Sequence, residues 1–139
     1  MLHTNLLLYY NVMEYIQTFV TQPHEKRILR STNLKTKYPD RAPFVLDRAT
    51  SNTPNCSDHL FLIPLNTTIQ TLFILLRSRV PQTSKQGLFL YIDNTPLQPN
   101  KLVSEIAKCH TSNDGFIYIT YAVENVFGRN ETLNQDIPY

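Results

Sequence analysis

Glycine and cysteine are scarce in this chain of 139 residues, and their scarcity excludes several kinds of site. Three glycines are too few to build a Gly-rich loop of the type that cradles phosphate groups. The two cysteines, Cys56 and Cys109, are too few for a disulfide framework and lack Cys-x-x-Cys spacing, which favours a reducing, cytosolic setting. In that setting the Asn-x-Ser/Thr triplets at Asn55, Asn66 and Asn130 are chance matches, because the glycosylation machinery never meets a cytosolic chain.

Groups suited to catalysis or metal binding are equally sparse. Cys56 lies in a polar loop, and neither His59 nor His110 has a carboxylate at a spacing that would orient its ring. Two cysteines and four scattered histidines do not supply the four ligands of a zinc site. The sequence therefore predicts a protein that is not an enzyme and that needs no cofactor or metal ion. The formal net charge of +2 is too small to indicate a nucleic-acid partner.

The first twenty residues are apolar and aromatic, yet they fit neither a signal peptide nor a membrane span. They lack a basic start and a small-residue cleavage site, and polar residues interrupt them. Val12, Tyr15, Ile16 and Phe19 recur at helical spacing, which predicts a short amphipathic helix over residues 12–20. We expect the apolar face of this helix to pack on the domain, and contact with a membrane or a partner is the alternative.

A second predicted helix runs from His24 to about Lys37 and ends before Pro39. Its apolar stripe is narrow and lies among basic residues, which number six when Arg41 is counted. We interpret the basic residues as a solvated helix face. Binding of phosphate or lipid head groups is the alternative.

The rest of the chain predicts a sheet crossed by one long helix. Strand patterns cover Ala42–Arg48, His59–Pro64, Gly87–Ile92 and Phe116–Ala122. The last of these carries apolar and aromatic residues on both sides, so we expect it to be buried on two faces and to end at Ala122. Thr67 and Gln70 fit a capping box, which predicts that the long helix begins there and continues up to Pro81. A short helical turn is predicted over residues 102–106.

The order of these elements indicates the fold class. It reads helix, helix, strand, strand, helix, strand, short helix, strand. With one long helix between two pairs of strands, the economical arrangement is a mixed four-stranded sheet that holds the helix across one face. The predicted fold is therefore α+β, a ubiquitin-like β-grasp roll with a central helix, preceded by two N-terminal helices.

Six short motifs identify a more specific relationship. They are Pro23-His24-Glu25-Lys26-Arg27, Lys37-Tyr38-Pro39-Asp40-Arg41-Ala42-Pro43, Phe61-Leu62-Ile63-Pro64, Leu76-Arg77-Ser78-Arg79, Phe116-Ile117-Tyr118-Ile119-Thr120-Tyr121 and Val126-Phe127-Gly128. In this order and register the motifs resemble the autophagy-related ubiquitin-like modifiers, the GABARAP-like family of the autophagy-related protein 8 type. The resemblance extends from Pro23 to Gly128.

The resemblance implies a division of the chain and a life cycle. Residues 1–21 would be an N-terminal extension, residues 22–128 the ubiquitin-like domain and residues 129–139 a propeptide. An autophagy cysteine protease would recognise Phe127 and Gly128 and cleave after Gly128, and activating and conjugating enzymes would join the new carboxylate to phosphatidylethanolamine. Glycine suits this chemistry because it leaves the carbonyl unhindered. The chain's own cysteines would be dispensable, and a cytoplasmic monomer would become bound to the autophagosome membrane.

The resemblance also implies a peptide-binding site with two apolar pockets. Cargo receptors carrying aromatic-x-x-aliphatic motifs would bind there, with the peptide added as a strand on the edge of Ala42–Arg48. The aromatic pocket would be lined by Leu34, Pro43, Val45, Leu62 and Phe116. The aliphatic pocket would be lined by Phe61, Ile63, Pro64, Leu72 and Leu75. Arg41 and Arg79 would pair with acidic residues that flank the motif.

Four positions depart from the family's pattern. Leu60 replaces a residue that is usually basic, Arg30 one that is often acidic, and Thr67 one that is aliphatic. His24 stands where an aromatic residue usually follows the proline. The altered charge at the pocket rim predicts a different set of partners.

Two other classes of ubiquitin-like protein stay open as interpretations. One is a modifier that is attached to a lysine of another protein, and the other is an adaptor that is never conjugated. The protein-conjugated relative ends at its glycine, whereas residues 129–139 follow Gly128 here. That difference favours the lipid-linked class.

Overall fold

The structure is a computed structural model that describes residues 13–81 and 86–125. Its elements, in chain order, are α1 (Glu14–Val20), α2 (His24–Lys37), β1 (Arg41–Arg48), β2 (Leu60–Pro64), α3 (Ile69–Arg77), β3 (Gln86–Ile92), β4 (Thr95–Pro96), α4 (Val103–His110) and β5 (Ile117–Asn125). The described part of the chain includes no helix with the length and apolarity needed to cross a bilayer.

The strands form one mixed sheet in the order β2-β1-β5-β3-β4. β1 and β5 are parallel, and the other neighbouring pairs are antiparallel. The predicted α+β ubiquitin-like arrangement is confirmed, with the two-residue strand β4 added to the four strands that the sequence indicated. Asp93 and Asn94 connect β3 to β4 with φ angles of 50° and 65°, a left-handed geometry that asparagine and aspartate tolerate in hairpin turns.

The central strand β5 is buried on both faces, as its sequence predicts. Ile117, Ile119 and Tyr121 pack into the main core, which α3 and α4 cover. Phe116, just before the strand, belongs to a second cluster on the opposite face, against which Tyr118 packs. The strand also continues to Asn125 through pairing with β3, so the predicted end at Ala122 is wrong. Pairing with a neighbouring strand extends it where its own apolar pattern has ended.

The start and the end of the long helix α3 differ from the prediction. The Thr68 hydroxyl accepts the Thr71 amide N–H at 3.2 Å, so Thr68 and not Thr67 is the N-cap. Thr67 instead accepts the Val103 amide with its backbone carbonyl at 2.8 Å. The helix ends at Arg77, and a turn then carries Val80 into the core. Apolar spacing continues to Val80 because the turn, like the helix, returns the chain to the same face.

The N-terminal helix α1 packs on the sheet face opposite α3, which confirms the expectation that its apolar face contacts the domain. Phe19 is 2% exposed and contacts Phe116 edge-on, with ring centroids 5.0 Å apart. At the other end of the helix, the Asp47 carboxylate accepts the Ile16 amide N–H at 3.1 Å. A carboxylate at a helix N-terminus is favourable for the helix dipole. Val12, also predicted for this face, lies outside the described residues.

A buried carboxylate fastens α2 to the sheet. Asp114 is 1% exposed and forms an ion pair with Arg27 at 2.6 Å. It also accepts the Phe116 amide N–H at 3.0 Å and the Tyr118 hydroxyl. Burial alone would raise the pKa of the Asp114 carboxyl, but these hydrogen bonds hold that pKa below its usual range. Desolvation and the carboxylate together raise the pKa of the Tyr118 hydroxyl, which stays a donor.

Gly115 permits the close approach of α2 at this point. Its φ of 91° lies in the left-handed region, and a Cβ there would meet the Ser31 Oγ at 2.2 Å. The Ser31 hydroxyl donates to the Asp114 carbonyl at 2.6 Å. Any side chain at position 115 would therefore push α2 away from the buried carboxylate.

We expect Asp114→Asn to lower the free energy of unfolding by about 3 kcal/mol at pH 7, because the partly buried Arg27 guanidinium keeps its charge but loses the carboxylate that pairs with it. Since the folded-state pKa of Asp114 lies below the unfolded value, the stabilisation is present above about pH 4 and is lost as the pH falls through the folded-state pKa. Urea unfolding at a series of pH values from 7 to 2 measures the difference.

The matched control is Asp40→Asn, which changes an exposed carboxylate and should alter the free energy of unfolding by less than about 0.5 kcal/mol. A deficit in Asp114→Asn that is as large at pH 2 as at pH 7 would contradict the role assigned to the charge.

Candidate functional site

The N-terminal hairpin forms one edge of the sheet, and the edge strand is β2 and not β1. β1 pairs with β2 on one side and with β5 on the other, so it has no edge to which a peptide could be added. The predicted addition to Ala42–Arg48 is therefore wrong. Within the described residues β2 has only β1 as a neighbour, which leaves its outer side available. The sequence shows that the two strands form a hairpin but not that β5 pairs with the first of them.

The backbone of β2 offers hydrogen-bonding groups along that edge. The Leu46 amide N–H donates to the His59 carbonyl at 2.7 Å, which identifies this residue pair as a hydrogen-bonded one. Hydrogen-bonded pairs alternate with non-hydrogen-bonded ones along an antiparallel ladder. The N–H and C=O groups of Leu60 and Leu62 therefore point away from β1, toward the open side.

The two predicted pocket sets lie on opposite faces of the sheet beside this edge. On the α1 and α2 face, Val45 and Phe116 belong to the second cluster, and Leu34 packs against it. Strand alternation places Pro43 and Leu62 on the same face. On the α3 face, Ile63 and Leu72 are core residues, and Phe61 and Leu75 pack against them. Pro64 is the last residue of β2, opposite Arg41.

Several of the predicted pocket residues are too deeply buried to contact a peptide directly. Val45 and Phe116 are fully buried, Leu72 and Ile63 are 2% and 4% exposed, and Pro43 is also buried. They form the floor of the two faces. The side chains that retain exposure beside the edge are Leu34, Leu62, Phe61, Pro64 and Leu75. The alternation of apolar residues indicates the face on which a residue lies but not its depth.

The helix α1 covers the floor of the predicted aromatic pocket. Phe19 contacts Phe116, and the Arg30 guanidinium lies 5.8 Å from the centroid of the Phe19 ring. Leu60 packs against the same cluster. Two departures from the family's pattern are thus close to Phe19, which closes this floor. Arg30 lies near the Phe19 ring, and Leu60 packs against the cluster that contains Phe19. The sequence predicts their effect on rim charge but not their contact with α1.

The two predicted arginines differ in their surroundings. Arg79 forms an exposed ion pair with Asp58 at 2.8 Å and lies 5.8 Å from the centroid of the Phe61 ring. Arg41 is exposed and lies 5.8 Å from the centroid of the Tyr38 ring. An acidic ligand must therefore compete with Asp58 for Arg79, a competitor that the sequence does not reveal because it is 21 residues away along the chain.

Comparison with known proteins now agrees with this architecture. A family model described as autophagy protein Atg8, ubiquitin-like, matches residues 26–128. Autophagy-related proteins 8b and 8a of Arabidopsis thaliana are 33% and 32% identical over 110 residues, covering 78% of this chain and 90% of each relative. The chain belongs to the Atg8 family.

Solved structures of the family share the fold. The crystal structure of Trypanosoma brucei ATG8 matches with a TM-score of 0.71 and 26% identity, covering 78% of this chain and 95% of that one. Plasmodium falciparum Atg8, solved in complex with a Plasmodium falciparum Atg3 peptide, matches with a TM-score of 0.64 and 23% identity, covering 71% and 89%. The resemblance seen in the sequence motifs is confirmed.

The predicted conjugation residues Phe127 and Gly128 lie outside the described part of this Atg8-family chain. The last described strand, β5, ends at Asn125, three residues before Gly128. The family match includes position 128 as its final residue.

His59 has an acidic neighbour that the sequence spacing does not indicate. Its Nδ1 lies 2.8 Å from the Leu46 carbonyl oxygen and 4.0 Å from the Asp47 carboxylate, and its ring stacks on Tyr15 with centroids 4.2 Å apart. Asp47 in turn accepts backbone amides, including that of Ile16 in α1. These contacts hold α1 on the sheet. Within residues 13–81 and 86–125, His, Cys, Asp and Glu side chains form no group of three suited to a metal ion.

Cys56 lies in the polar loop that connects β1 to β2, as predicted, but its side chain is not accessible. It is 4% exposed and packs into the main core, whereas Cys109 is exposed. The loop around it is fastened to β5, because the Tyr121 hydroxyl donates to the Pro54 carbonyl at 2.8 Å and the Val123 amide donates to a neighbouring threonine hydroxyl. Polar composition alone gave no sign of these contacts.

We expect Cys56→Ser to lower the free energy of unfolding by about 1 to 2 kcal/mol, because the substitution buries a hydroxyl among apolar side chains. Cys109→Ser changes an exposed side chain and should stay within about 0.5 kcal/mol of the parent. Urea unfolding of the two variants under reducing conditions provides the comparison. Equal stability of both variants would show that Cys56 does not contribute to the core.

Proposed function

We propose that this chain is a ubiquitin-like modifier of autophagy that is trimmed after Gly128, joined to phosphatidylethanolamine, and then binds aromatic-x-x-aliphatic peptides along β2. The observation that carries the proposal is the free β2 edge with partly exposed apolar side chains on both faces beside it, in a member of the Atg8 family. The chain itself is not the enzyme in this cycle. It is the substrate of partner enzymes.

The geometry of the β2 edge supports peptide binding by strand addition. The outward backbone groups of Leu60 and Leu62 supply hydrogen bonds, and successive side chains of an added strand point to opposite faces of the sheet. An aromatic residue three positions before an aliphatic one therefore meets the two faces in turn. The partly exposed Leu34 and Leu62 lie on one face, and Phe61 and Leu75 lie on the other.

The packing of Phe19 over the floor of the predicted aromatic pocket affects the affinity for a peptide. For a peptide ring to contact Val45 or Phe116, Phe19 must move away, and that movement costs the buried contacts of Phe19. Without the movement, a ring contacts only the exposed surface of Leu34 and Leu62. Either way part of the binding energy is lost, so we expect micromolar affinity, corresponding to about 7 to 8 kcal/mol.

The extent of the family match supports the conjugation step. The family match runs to residue 128, and the preceding strand holds the start of the tail in the centre of the sheet. Hydrolysis after Gly128 releases a carboxylate, and an amide bond forms from a carboxylate in water only after activation as an adenylate and a thioester. The partner enzymes supply the cysteines, because Cys56 is buried in the core and the exposed Cys109 is dispensable for the step.

The partners of this function follow from its steps. They are an autophagy cysteine protease, activating and conjugating enzymes, receptors that carry the motif, and a membrane containing phosphatidylethanolamine. The solved complex of Plasmodium falciparum Atg8 with an Atg3 peptide supports the expectation that a peptide of a partner protein binds this fold. We place the unconjugated chain in the cytoplasm as a monomer and the conjugated chain on the autophagosome membrane.

We expect a peptide with an acidic flank and an aromatic-x-x-aliphatic core to bind in the micromolar range and to shift the amide signals of Leu60 and Leu62 in NMR titration. Arg79→Glu should weaken binding, more so at low salt. Asp58→Asn should strengthen it by a few-fold, because Arg79 is released from its ion pair.

The control for the peptide experiment is Lys101→Glu, which changes an exposed charge next to α4 and away from β2. It should leave the affinity unchanged within about twofold. Amide shifts confined to residues outside β2 and its flanking helices would show that the peptide site lies elsewhere.

We expect Gly128→Ala to block cleavage or conjugation without altering the fold, and a chain stopped after Gly128 to bypass the protease. The reason is steric, since a Cβ crowds the carbonyl that the protease and the conjugating enzymes must reach. In cells with induced autophagy, the membrane-bound form should be removed by phospholipase treatment. A conjugate that resists phospholipase and contains a second protein would indicate the protein-conjugated class instead. Normal formation of the lipid-linked form by Gly128→Ala would contradict the mechanism.

A further inference from the structure

A cavity of about 420 Å³ lies at the end of the sheet where β1 begins. It is enclosed by the last turn of α2, the first residues of β1, and α4. Its apolar lining comes from Pro39, Ala42, Pro43, Leu65, Ala107 and Ile117. A cavity of this size can accommodate at least one large side chain of a ligand.

The rim of this cavity is basic. Lys35, Arg41 and Lys108 line it, and all three are exposed. No carboxylate lines the cavity, and none of the three cations forms an ion pair with an acidic side chain among residues 13–81 and 86–125. An apolar floor with unpaired cations around it matches an apolar side chain that has acidic neighbours.

The cavity lies next to the end of β2, although no residue of Leu60–Pro64 lines it. Pro64 ends β2 opposite Arg41, and the next residue, Leu65, lines the cavity. Leu65 is held there because its amide N–H donates to the Asp40 carbonyl at 2.9 Å. From Leu62 to Leu65 a strand advances about 10 Å. A peptide added along β2 therefore reaches the cavity with a residue about three positions beyond its contacts at Leu62.

We infer that this cavity is a third subsite of the peptide site, which takes an apolar side chain with acidic neighbours from the flank of the motif. The inference rests on the proposed peptide binding along β2. It assigns a further role in the selection of receptors, separate from that of the two pockets, to Lys35, Lys108, Leu65 and Ala107. Arg41 belongs to both the edge and the cavity, so it responds to the motif and to its flank.

Three peptides test the subsite on the full chain by isothermal titration. The first carries only the acidic-flanked core, and the other two add Asp-Leu-Glu-Glu at the C-terminal or the N-terminal end. One extension should raise the affinity about fivefold, and the end that does so fixes the direction of the peptide along β2. Neither extension raising the affinity would overturn the inference.

Charge variants show whether the gain arises at the cavity. Lys35→Glu and Lys108→Glu alter exposed side chains, so the fold is retained. Each should remove the gain from the extension and leave the affinity for the core peptide within about twofold. The matched control Lys101→Glu should keep the full gain. Persistence of the gain in both Lys35→Glu and Lys108→Glu would contradict the assignment.

The failure of the subsite and the failure of the proposed function give different results. If the core peptide does not shift Leu60 and Leu62, the proposed function fails. The extension alone, titrated at millimolar concentration, still reports on the cavity through the amides of Leu65, Ala107 and Lys108. Shifts there support the subsite, and their absence overturns it. A third outcome is that the extension has no effect, while the chain binds anionic vesicles and Lys108→Glu abolishes that binding. This result would assign the cavity to a membrane surface and would overturn the inference of a peptide subsite.

Discussion

The double pairing of β5 is the constraint on which the rest of the structure depends. β5 lies between β1 and β3 and is buried on both faces, so the core under α3 and the cluster under α1 meet on the same strand. Its parallel pairing with β1 occupies the inner side of the N-terminal hairpin. The hairpin therefore has one open side left, and that side is β2. β2 has a free edge because β5 has taken the other position beside β1.

Two carboxylates on the sheet face opposite α3 determine how α1 and α2 lie on this sheet. Asp114 holds α2 through a buried ion pair with Arg27, and Asp47 holds α1 through a backbone amide. Beyond that bond, the attachment of α1 consists of one buried side chain, Phe19, and partly buried neighbours. The floor of the predicted aromatic pocket is thus closed by α1, while Leu34 of α2 packs beside it.

The sequence predicts the elements well where local patterns dominate. Helix α2 has the predicted bounds, and the burial of β5 on both faces follows from its unbroken apolar and aromatic sequence. The failures share one cause, which is contact between residues distant in the chain. The partner of β1, the burial of Cys56 and the Asp58 ion pair of Arg79 all depend on such contacts. Strand alternation indicates the face on which each strand residue of the predicted pockets lies, but the depth of its side chain depends on the helices that pack over that face.

The sheet also separates the free β2 edge from the end that would be conjugated. β2 lies two strands from β5, about 10 Å away. Because β1 and β5 are parallel, Asn125 lies beyond the Arg48 end of β1, while the basic cavity lies at the Arg41 end. These ends are about 35 Å apart along the strand direction. A chain joined to a membrane through Gly128 would therefore hold the cavity at its distal end, and a receptor peptide would run along β2 with one flank away from the lipid surface.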